Sequence, residues 1–438
     1  MMMLKLSNSL TGKCEPFFPL HEKTVRMYVC GITPYDDTHV GHGRCYVLFD
    51  LIYRVLQHAG NTVLYCRNFT DIDDKLLSKA QFLYEDSQRY KEIAQEYIHN
   101  FHEDIGALNC IAPTFEPCVT DNIEPIIRFI ERLIDNNAAY VSSGDVYFSI
   151  SNAPGYGQLS KQKIADLRSG VRVEPNEKKR DPLDFALWKS ETDDTFWRSP
   201  WGWGRPGWHI ECSALAYHYL GEQIDIHGGG MDLLFPHHEN ELAQTEAVTH
   251  KPFSTFWVHN AFVQVNKEKM SKSLGNFFML RDVYKEFDPM VLRFYYLNHH
   301  YKSPLEFSFD LLCDIEKSYW RLCRFFNAYT ASQSEAPSAI EQQMIDFLLN
   351  DMNSVGAFGL LFAHLNELSP VEICSIKWIL QNLMGLTLVV QAEQKITAQM
   401  QLLIDQRLQA RQAGDWKRAD QLRVELKALG FEVQDKKV

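Results

Sequence analysis

The chain has 438 residues, of which 45% are hydrophobic and 23% charged, and carries a formal net charge of −12. That length and apolar content describe a soluble globular protein of two or three domains, each with a real core. The acidic total argues against indiscriminate, backbone-driven binding to nucleic acids and leaves room for a selective RNA partner met by a local basic face. The start, M-M-M-L-K-L-S-N-S-L, has no apolar run long enough for a signal peptide, and no stretch elsewhere approaches the ~20 apolar residues of a membrane span, so a cytoplasmic protein is expected. Ten cysteines scattered from Cys14 to Cys374 without a repeating spacing do not resemble a secreted disulfide framework and read mostly as buried small hydrophobes.

In chain order, Val25 to Cys30 reads as a strand, Gly41 to His58 as a helix and Val63 to Arg67 as a second strand. Strand, loop, helix, strand opens a Rossmann-like parallel sheet, whose ligands sit beyond the carboxyl ends of the strands, where Cys30 and His39 fall. From about Ala112 to Pro206 the pattern breaks into a helix near Ile123 to Asn137, a hairpin around Tyr140 to Ile150 and a polar loop at Arg172 to Arg180, as an insertion would. The sheet pattern returns with strand Gln223 to His227, which ends in Gly228 to Gly230, then a helix with Pro236 at its first position and a strand from Thr255 to Val263. Beyond about Ser308 the period is helical: Phe309 to Tyr329, Ala339 to Leu368, Pro370 to Gln391, and Thr397 to Leu429 broken at Gly414, with Thr330 to Ser338 as a linker. The expectation is an α/β chain: a Rossmann-like parallel-sheet domain over 1–310 with an inserted connective segment at about 112–206, followed by an all-α helical region over 311–438.

Two strings stand out on this scaffold. His39 to His42 read H-V-G-H at the start of a helix, where backbone N–H groups already favour anions, and Lys269 to Ser273 read K-M-S-K-S on a loop that presents ammonium groups. In this order the pair points to nucleotide phosphates. A third constellation resembles a metal site: Cys30, Cys212 and the run Phe235-Pro-His-His-Glu-Asn-Glu241, in which His237 and Glu241 lie i and i+4 on one helix face. Two thiolates, an imidazole and a carboxylate suit zinc, although His238 with Glu241, at i and i+3, fits the spacing too.

The strings C-G-I-T-P-Y-D at Cys30 to Asp36, H-V-G-H, N-F-T-D-I-D-D-K at Asn68 to Lys75, R-P-G-W-H-I-E-C-S at Arg205 to Ser213, D-I-H-G-G-G-M-D-L-L-F-P-H-H-E-N-E at Asp225 to Glu241 and K-M-S-K-S-L-G-N-F at Lys269 to Phe277 together resemble the cysteinyl-tRNA synthetases of the class I aminoacyl-tRNA synthetase family. The resemblance runs over residues 1 to about 310 and more loosely through Arg407 to Gly430. It implies one zinc ion per chain on Cys30, Cys212, His237 and Glu241, which favours His237 over His238. It also implies ATP with Mg²⁺ met by His39, Gly41, His42 and Lys272, with Lys269 beside them in catalysis. Gly31, Thr70, Trp208 and His227 would line the amino-acid pocket. The reaction implied is ATP-dependent ligation of L-cysteine to tRNA(Cys) through cysteinyl-adenylate, by a monomer and without a membrane.

In the helical region Arg407, Arg411, Lys417, Arg418 and Arg423 are the candidate tRNA-facing charges. Two departures from the family pattern fall there: a short tail after Phe431 to Asp435, and Asn350-Asp-Met-Asn-Ser-Val in place of D-D-F-N-T-P. The alternative activities are a cysteine:amino-sugar ligase of mycothiol synthesis, which needs no anticodon-binding helices, and a non-catalytic zinc or RNA-binding relative.

Overall fold

The computed structural model describes residues 3–164, 166, 177–270, 277–329, 338–389, 398–412 and 415–428. Its centre is a four-stranded, wholly parallel sheet built from β1 (Thr24–Ile32), β2 (Thr62–Phe69), β3 (Ile224–Gly230) and β4 (Ser254–Asn260), in the order β4-β3-β1-β2. The register pairs Tyr28 of β1 with Cys66 of β2 on one side and with His227 of β3 on the other. Strands buried on both faces are near-continuous apolar runs, and Val25, Met27 and Val29 are wholly buried here. The chain passes from β1 outward to β2, then returns to the other side of β1 for β3. This reversal opens a crevice between the carboxyl ends of β1 and β3.

Helix αA (Val40–His58) crosses one face and buries Val40, Phe49, Ile52 and Leu56 completely. A Cβ on Gly228 would come within 2.1 Å of the Phe49 ring. Thus the three glycines expected to end β3 instead continue it, and the missing side chain of Gly228 lets αA lie against the strand. Helix αB (Trp208–Leu220) and helix αC (Glu239–Thr249) cover the other region of the site. Phe235 has extended dihedrals (φ −141°, ψ 134°), so the helical run leading into αC begins at Pro236.

The interruption of the sheet holds more than a hairpin. Helix Ile123–Asp135 and strands Ala139–Ser142 and Asp145–Phe148 lie where expected, and Phe185–Ser190, Gly202–Pro206 and Trp197–Ser199 extend the hairpin into a five-stranded antiparallel sheet. Of the polar loop expected at 172–180, residues 172–176 lie outside the described ones, and 177–180 form turn and irregular chain. The strand expected from Thr255 to Val263 stops at Asn260, and Val263–Val265 belongs to a separate small sheet with Glu268–Lys269 and Leu305–Glu306.

One expected helix is divided, a second ends early and a third breaks where expected. Ala339–Leu349 and Ser354–His364 are separated at Asn350 to Asn353, where Asp351 (φ 60°) and Met352 (φ 54°) are left-handed. The Asp351 carboxylate caps this break by accepting from Ser7 N at 2.7 Å, Ser7 Oγ at 2.6 Å and the Tyr301 hydroxyl, which ties the helices to the first strand of the chain. Pro370–Trp378 continues only through the wide turn Ile379–Leu383 and ends at Gly385 (φ 66°). Ala398–Gln412 and Trp416–Ala428 flank Gly414, which lies outside the described residues. By internal contacts the chain forms one compact unit over Met1–Leu388 and a second over Val389–Val438. No helix among the described residues is long and apolar enough to cross a membrane. All ten cysteines are unpaired, and five of them (Cys30, Cys45, Cys66, Cys212 and Cys323) are buried.

Candidate active site and metal centre

The crevice beyond β1 and β3 opens into a cavity of about 590 Å³ lined by Cys30, Gly31, His39, Gly41, His42, Trp208, Asp232, Met270 and Phe277 among others. That size suits a small-molecule substrate. His39 is the N-cap of αA, with its Nδ1 accepting from His42 N at 3.2 Å, so its Nε2 carries the proton. The two imidazoles stack with centroids 3.5 Å apart. A Cβ on Gly41 would lie 2.9 Å from His39 Nδ1, whereas one on Gly43 would meet the Tyr296 hydroxyl at 2.9 Å. Gly41 therefore serves the cavity wall and Gly43 serves packing. Two backbone bonds, Val40 N to Phe278 O at 3.0 Å and Leu280 N to Thr38 O at 2.8 Å, bring the far side of the K-M-S-K-S segment against the start of αA. The Lys269 backbone pairs with Gln264; its side chain, and all of Lys272, lie outside the described residues.

Behind this cavity the predicted metal donors converge. Cys30 comes from the end of β1, Cys212 from the second turn of αB, and His237 and Glu241 from the helical run into αC; their donor atoms all lie within 4.8 Å of one another and all four residues are buried. Cys30 Sγ is 3.2 Å from Glu241 Oε1, and His237 Nε2 is 3.1 Å from the same oxygen. Glu241 Oε2 lies 3.2 Å from His227 Nε2 without an aligned hydrogen bond, leaving a buried carboxylate oxygen unsatisfied. A buried, incompletely satisfied set of two sulfurs, one imidazole and one carboxylate fits a bound transition ion.

The electrostatics assign protons within the set. Burial, then the neighbouring Cys212 and Glu241, push the Cys30 thiol well above its ordinary value. Burial also opposes ionisation of Cys212, but hydrogen bonding from Cys30 and the presence of His237 outweigh it and bring Cys212 down to about 6. For His237, burial is overcome by Glu241 and Cys212, which raise it to about 10. Glu241 is held well below the usual carboxylate range, because His227 and His237 outweigh its burial.

A second set shares two of these donors. Cys30, His227, His238 and Glu241 also have donor atoms within 4.8 Å of one another. His238 Nδ1 is engaged with His259 Nε2 at 2.7 Å, and His259 Nδ1 with Ser9 Oγ at 2.8 Å. The competition between His237 and His238 visible in the sequence is thus present in space.

The other predicted residues also gather here. Gly31 sits where a Cβ would fall 1.5 Å from the Asn68 carbonyl oxygen, so only glycine fits. Thr70 Oγ1 donates to Glu211 Oε2 at 2.8 Å, and His227 is fully buried against Tyr28 with ring centroids 5.3 Å apart. Trp208, the first residue of αB, is 41% exposed at the cavity and lies over His237 with ring centroids 4.4 Å apart. Sequence reasoning passed over Asn68, whose Oδ1 accepts from Tyr28 OH and Gly31 N, both at 3.0 Å, and lies 3.6 Å from Cys212 Sγ. It also passed over His209, whose Nδ1 is 3.0 Å from His237 Nδ1, and Glu211.

Solved structures share this architecture at low identity. A putative arginyl-tRNA synthetase of Campylobacter jejuni aligns with TM-score 0.56 and 12% identity over 86% of this chain and 96% of its own. The methionyl-tRNA synthetase of Mycobacterium tuberculosis, in complex with methionyl-adenylate, aligns with TM-score 0.55 and 13% identity over 83% and 82%. Residues 16–317 match the tRNA synthetases class I (C) catalytic domain, and that match, with the fold, defines a class I aminoacyl-tRNA synthetase core.

Residues 393–438 match the cysteinyl-tRNA ligase anticodon binding domain. The cysteine–tRNA ligase of Caldicellulosiruptor saccharolyticus is 43% identical over 99% of this chain and 98% of its own length. That of Legionella pneumophila subsp. pneumophila strain Philadelphia 1 is 45% identical over 99% and 97%. The chain belongs to the cysteine–tRNA ligase family.

Proposed function

We propose that the chain joins L-cysteine to tRNA(Cys) in two steps. The cysteine carboxylate attacks the α-phosphate of ATP, releasing pyrophosphate, and the resulting cysteinyl-adenylate passes its acyl group to the 2′-hydroxyl of the terminal tRNA ribose. No covalent enzyme intermediate is required, so the protein contributes orientation and charge neutralisation. His39, through its Nε2 proton, and His42 donate to phosphate oxygens as charge builds there; Lys269 and Lys272 neutralise the phosphates together with the Mg²⁺ that accompanies ATP. Gly41 lets the nucleotide approach the helix start. Gly31, Thr70, Trp208 and His227 orient the amino acid. Residues 1–310 carry this chemistry, with the insertion at about 112–206, and the helices of 311–438 engage the tRNA. The working protein is a cytoplasmic monomer.

Cys30, Cys212, His237 and Glu241 hold one zinc ion. When bound there, zinc supplies a preference for soft sulfur over a protonated hydroxyl, a distinction that shape and apolar contact alone hold to about 10 to 200-fold.

The observation that supports this reading most is the convergence of these four buried donors behind the cavity that His39 and His42 line, with Cys30 on its wall. Cysteine-dependent exchange of pyrophosphate into ATP tests it: zinc-loaded protein exchanges with cysteine, and absence of exchange would leave only a non-catalytic binding protein. Transfer of cysteine to tRNA rather than to an amino sugar then separates the synthetase from the mycothiol-type ligase. Lys272→Ala depresses exchange far more than cysteine binding, and equal losses would contradict its role.

A further inference from the structure

A second cavity, of about 550 Å³, is lined by Asp37, Glu103, Asp104, Met279, Arg281 and Tyr284 among others. Asp37 also lines the catalytic cavity, so the two meet at this acid.

Arg281, in the short helix Leu280–Tyr284, faces three carboxylates from two other parts of the chain. Its Nη2 donates to Glu103 Oε2 at 2.7 Å and to the Asn100 carbonyl oxygen at 3.4 Å, while its Nε lies 3.1 Å from Asp104 Oδ1 and 3.8 Å from Asp37 Oδ1. Asn100, Glu103 and Asp104 belong to the helix Tyr90–Ala107, and Asn100 Nδ2 in turn donates to Asp37 Oδ1 at 2.8 Å. Asp104 is 3% exposed, and its Oδ2 has no hydrogen-bond partner among the described residues. Burial pushes its carboxyl up to about 6, against the pull of Arg281. Without the guanidinium the three acids repel one another, and the most buried of them loses the cation beside it.

This cluster closes the junction that carries His39. His39 and Met279 form an antiparallel bridge, flanked by the bonds from Val40 N to Phe278 O and from Leu280 N to Thr38 O, and the Phe277 ring meets His39 edge-on with centroids 4.5 Å apart. Asp37 stands two residues before His39 and Arg281 two residues after Met279, so their side chains clamp the same bridge that the backbone bonds make.

Resting on the function proposed above, we infer that Arg281 is a positioning residue for adenylate formation: by gathering Asp37, Glu103 and Asp104 it fixes the start of αA, and with it the His39 imidazole that donates to the ATP phosphates. It touches no substrate, and it acts through His39.

The test measures cysteine-dependent pyrophosphate exchange by zinc-loaded Arg281→Ala, Arg281→Lys and Arg281→Ala combined with Asp104→Asn. For Arg281→Ala, kcat and kcat/KM for ATP fall together by about 100-fold, the loss expected of a misplaced transition-state donor, so KM for ATP is unchanged. Cysteine affinity, measured by calorimetry without ATP, stays at the parental value, which a merely structural loss would not allow. Arg281→Lys keeps the charge and recovers most of the rate. The double variant is less impaired than Arg281→Ala alone, because the uncompensated carboxylate is gone. The inference is overturned if Arg281→Ala exchanges at the parental rate, if cysteine affinity falls with the rate, if Arg281→Lys recovers nothing, or if the double variant is no better than Arg281→Ala. A parent protein with no pyrophosphate exchange would instead overturn the proposed function.

Discussion

Metal binding to this site should expel about two protons, and the count follows from the electrostatics of the four donors. Near pH 7.5 His237, raised to about 10, and Cys30, pushed well above its ordinary value, hold their protons in the metal-free protein. Cys212, brought down to about 6, and Glu241, held low, have already lost theirs. A metal ion takes only the deprotonated forms, so its affinity rises with pH by about two decades per unit between about 6 and 10, or roughly 2.7 kcal/mol per pH unit. Below pH 6 Cys212 also protonates and the dependence steepens towards three decades. Calorimetric titration of zinc into metal-free protein, in buffers of different ionisation enthalpy at pH 7.5, gives the proton count as the slope of observed heat against buffer heat. A count near one would show that His237 keeps its proton, as expected if the ion sits on the set containing His238. A count of zero would refute the proton assignments altogether.

Three further outcomes follow from the same structure. Cys212→Ser replaces a low-lying thiolate by a hydroxyl, so zinc affinity falls by at least tenfold and the ratio of cysteine-dependent to serine-dependent pyrophosphate exchange falls with it; an unchanged ratio would remove Cys212 from the ligand set. Gly31→Ala drives a Cβ into the Asn68 carbonyl oxygen, 1.5 Å away, separating β1 from β2 at the site, and should abolish exchange and lower the melting temperature; wild-type values for both would contradict the packing. Arg293→Met leaves Asp50 buried with only Arg54 Nε and Ile111 N, each at 2.8 Å, and strands the Leu108 and Met384 carbonyls, costing about 3 kcal/mol in a denaturant titration; a loss below about 1 kcal/mol would show that the buried pair contributes little.

What was legible in the sequence was what chemistry forces locally. A histidine pair at a helix start, and a histidine and an acid four residues apart on one helix face, are patterns that suit phosphate and metal geometry, and both stand where the chain order put them. The order strand, loop, helix, strand gave the parallel sheet, with β1 and β2 each observed three residues longer than expected. Proximity was not legible. Nothing in the spacing brings Cys212 to Cys30, which takes a crossing of the sheet, and nothing marks Asn68, whose importance comes from β2 lying in register beside Gly31. Spacing also could not separate His237 from His238, since both reach Glu241, at 3.1 Å and 4.0 Å.

Periodicity erred where tertiary partners break a helix. Asn350 to Asn353 continue an apolar period, yet Asp351 turns left-handed to reach Ser7 and Tyr301, groups more than 40 residues away. The short strands Trp197–Ser199 and Gly202–Pro206 escaped notice because glycine and tryptophan supply no alternation of apolar and polar residues. The Gly204 site nonetheless has a packing reason, since a Cβ there would meet the Lys189 carbonyl oxygen at 2.3 Å. By internal contacts the helices from Phe309 to Leu388 group with the catalytic unit, which the change from mixed to helical period does not reveal.

The most direct test of thiol selection at a bound ion is X-ray absorption at the zinc edge of loaded protein, recorded alone, with cysteine and with serine. Two sulfur neighbours alone, three with cysteine and two with serine are the counts expected from Cys30, Cys212 and a substrate thiolate. An unchanged sulfur count on adding cysteine would contradict the account.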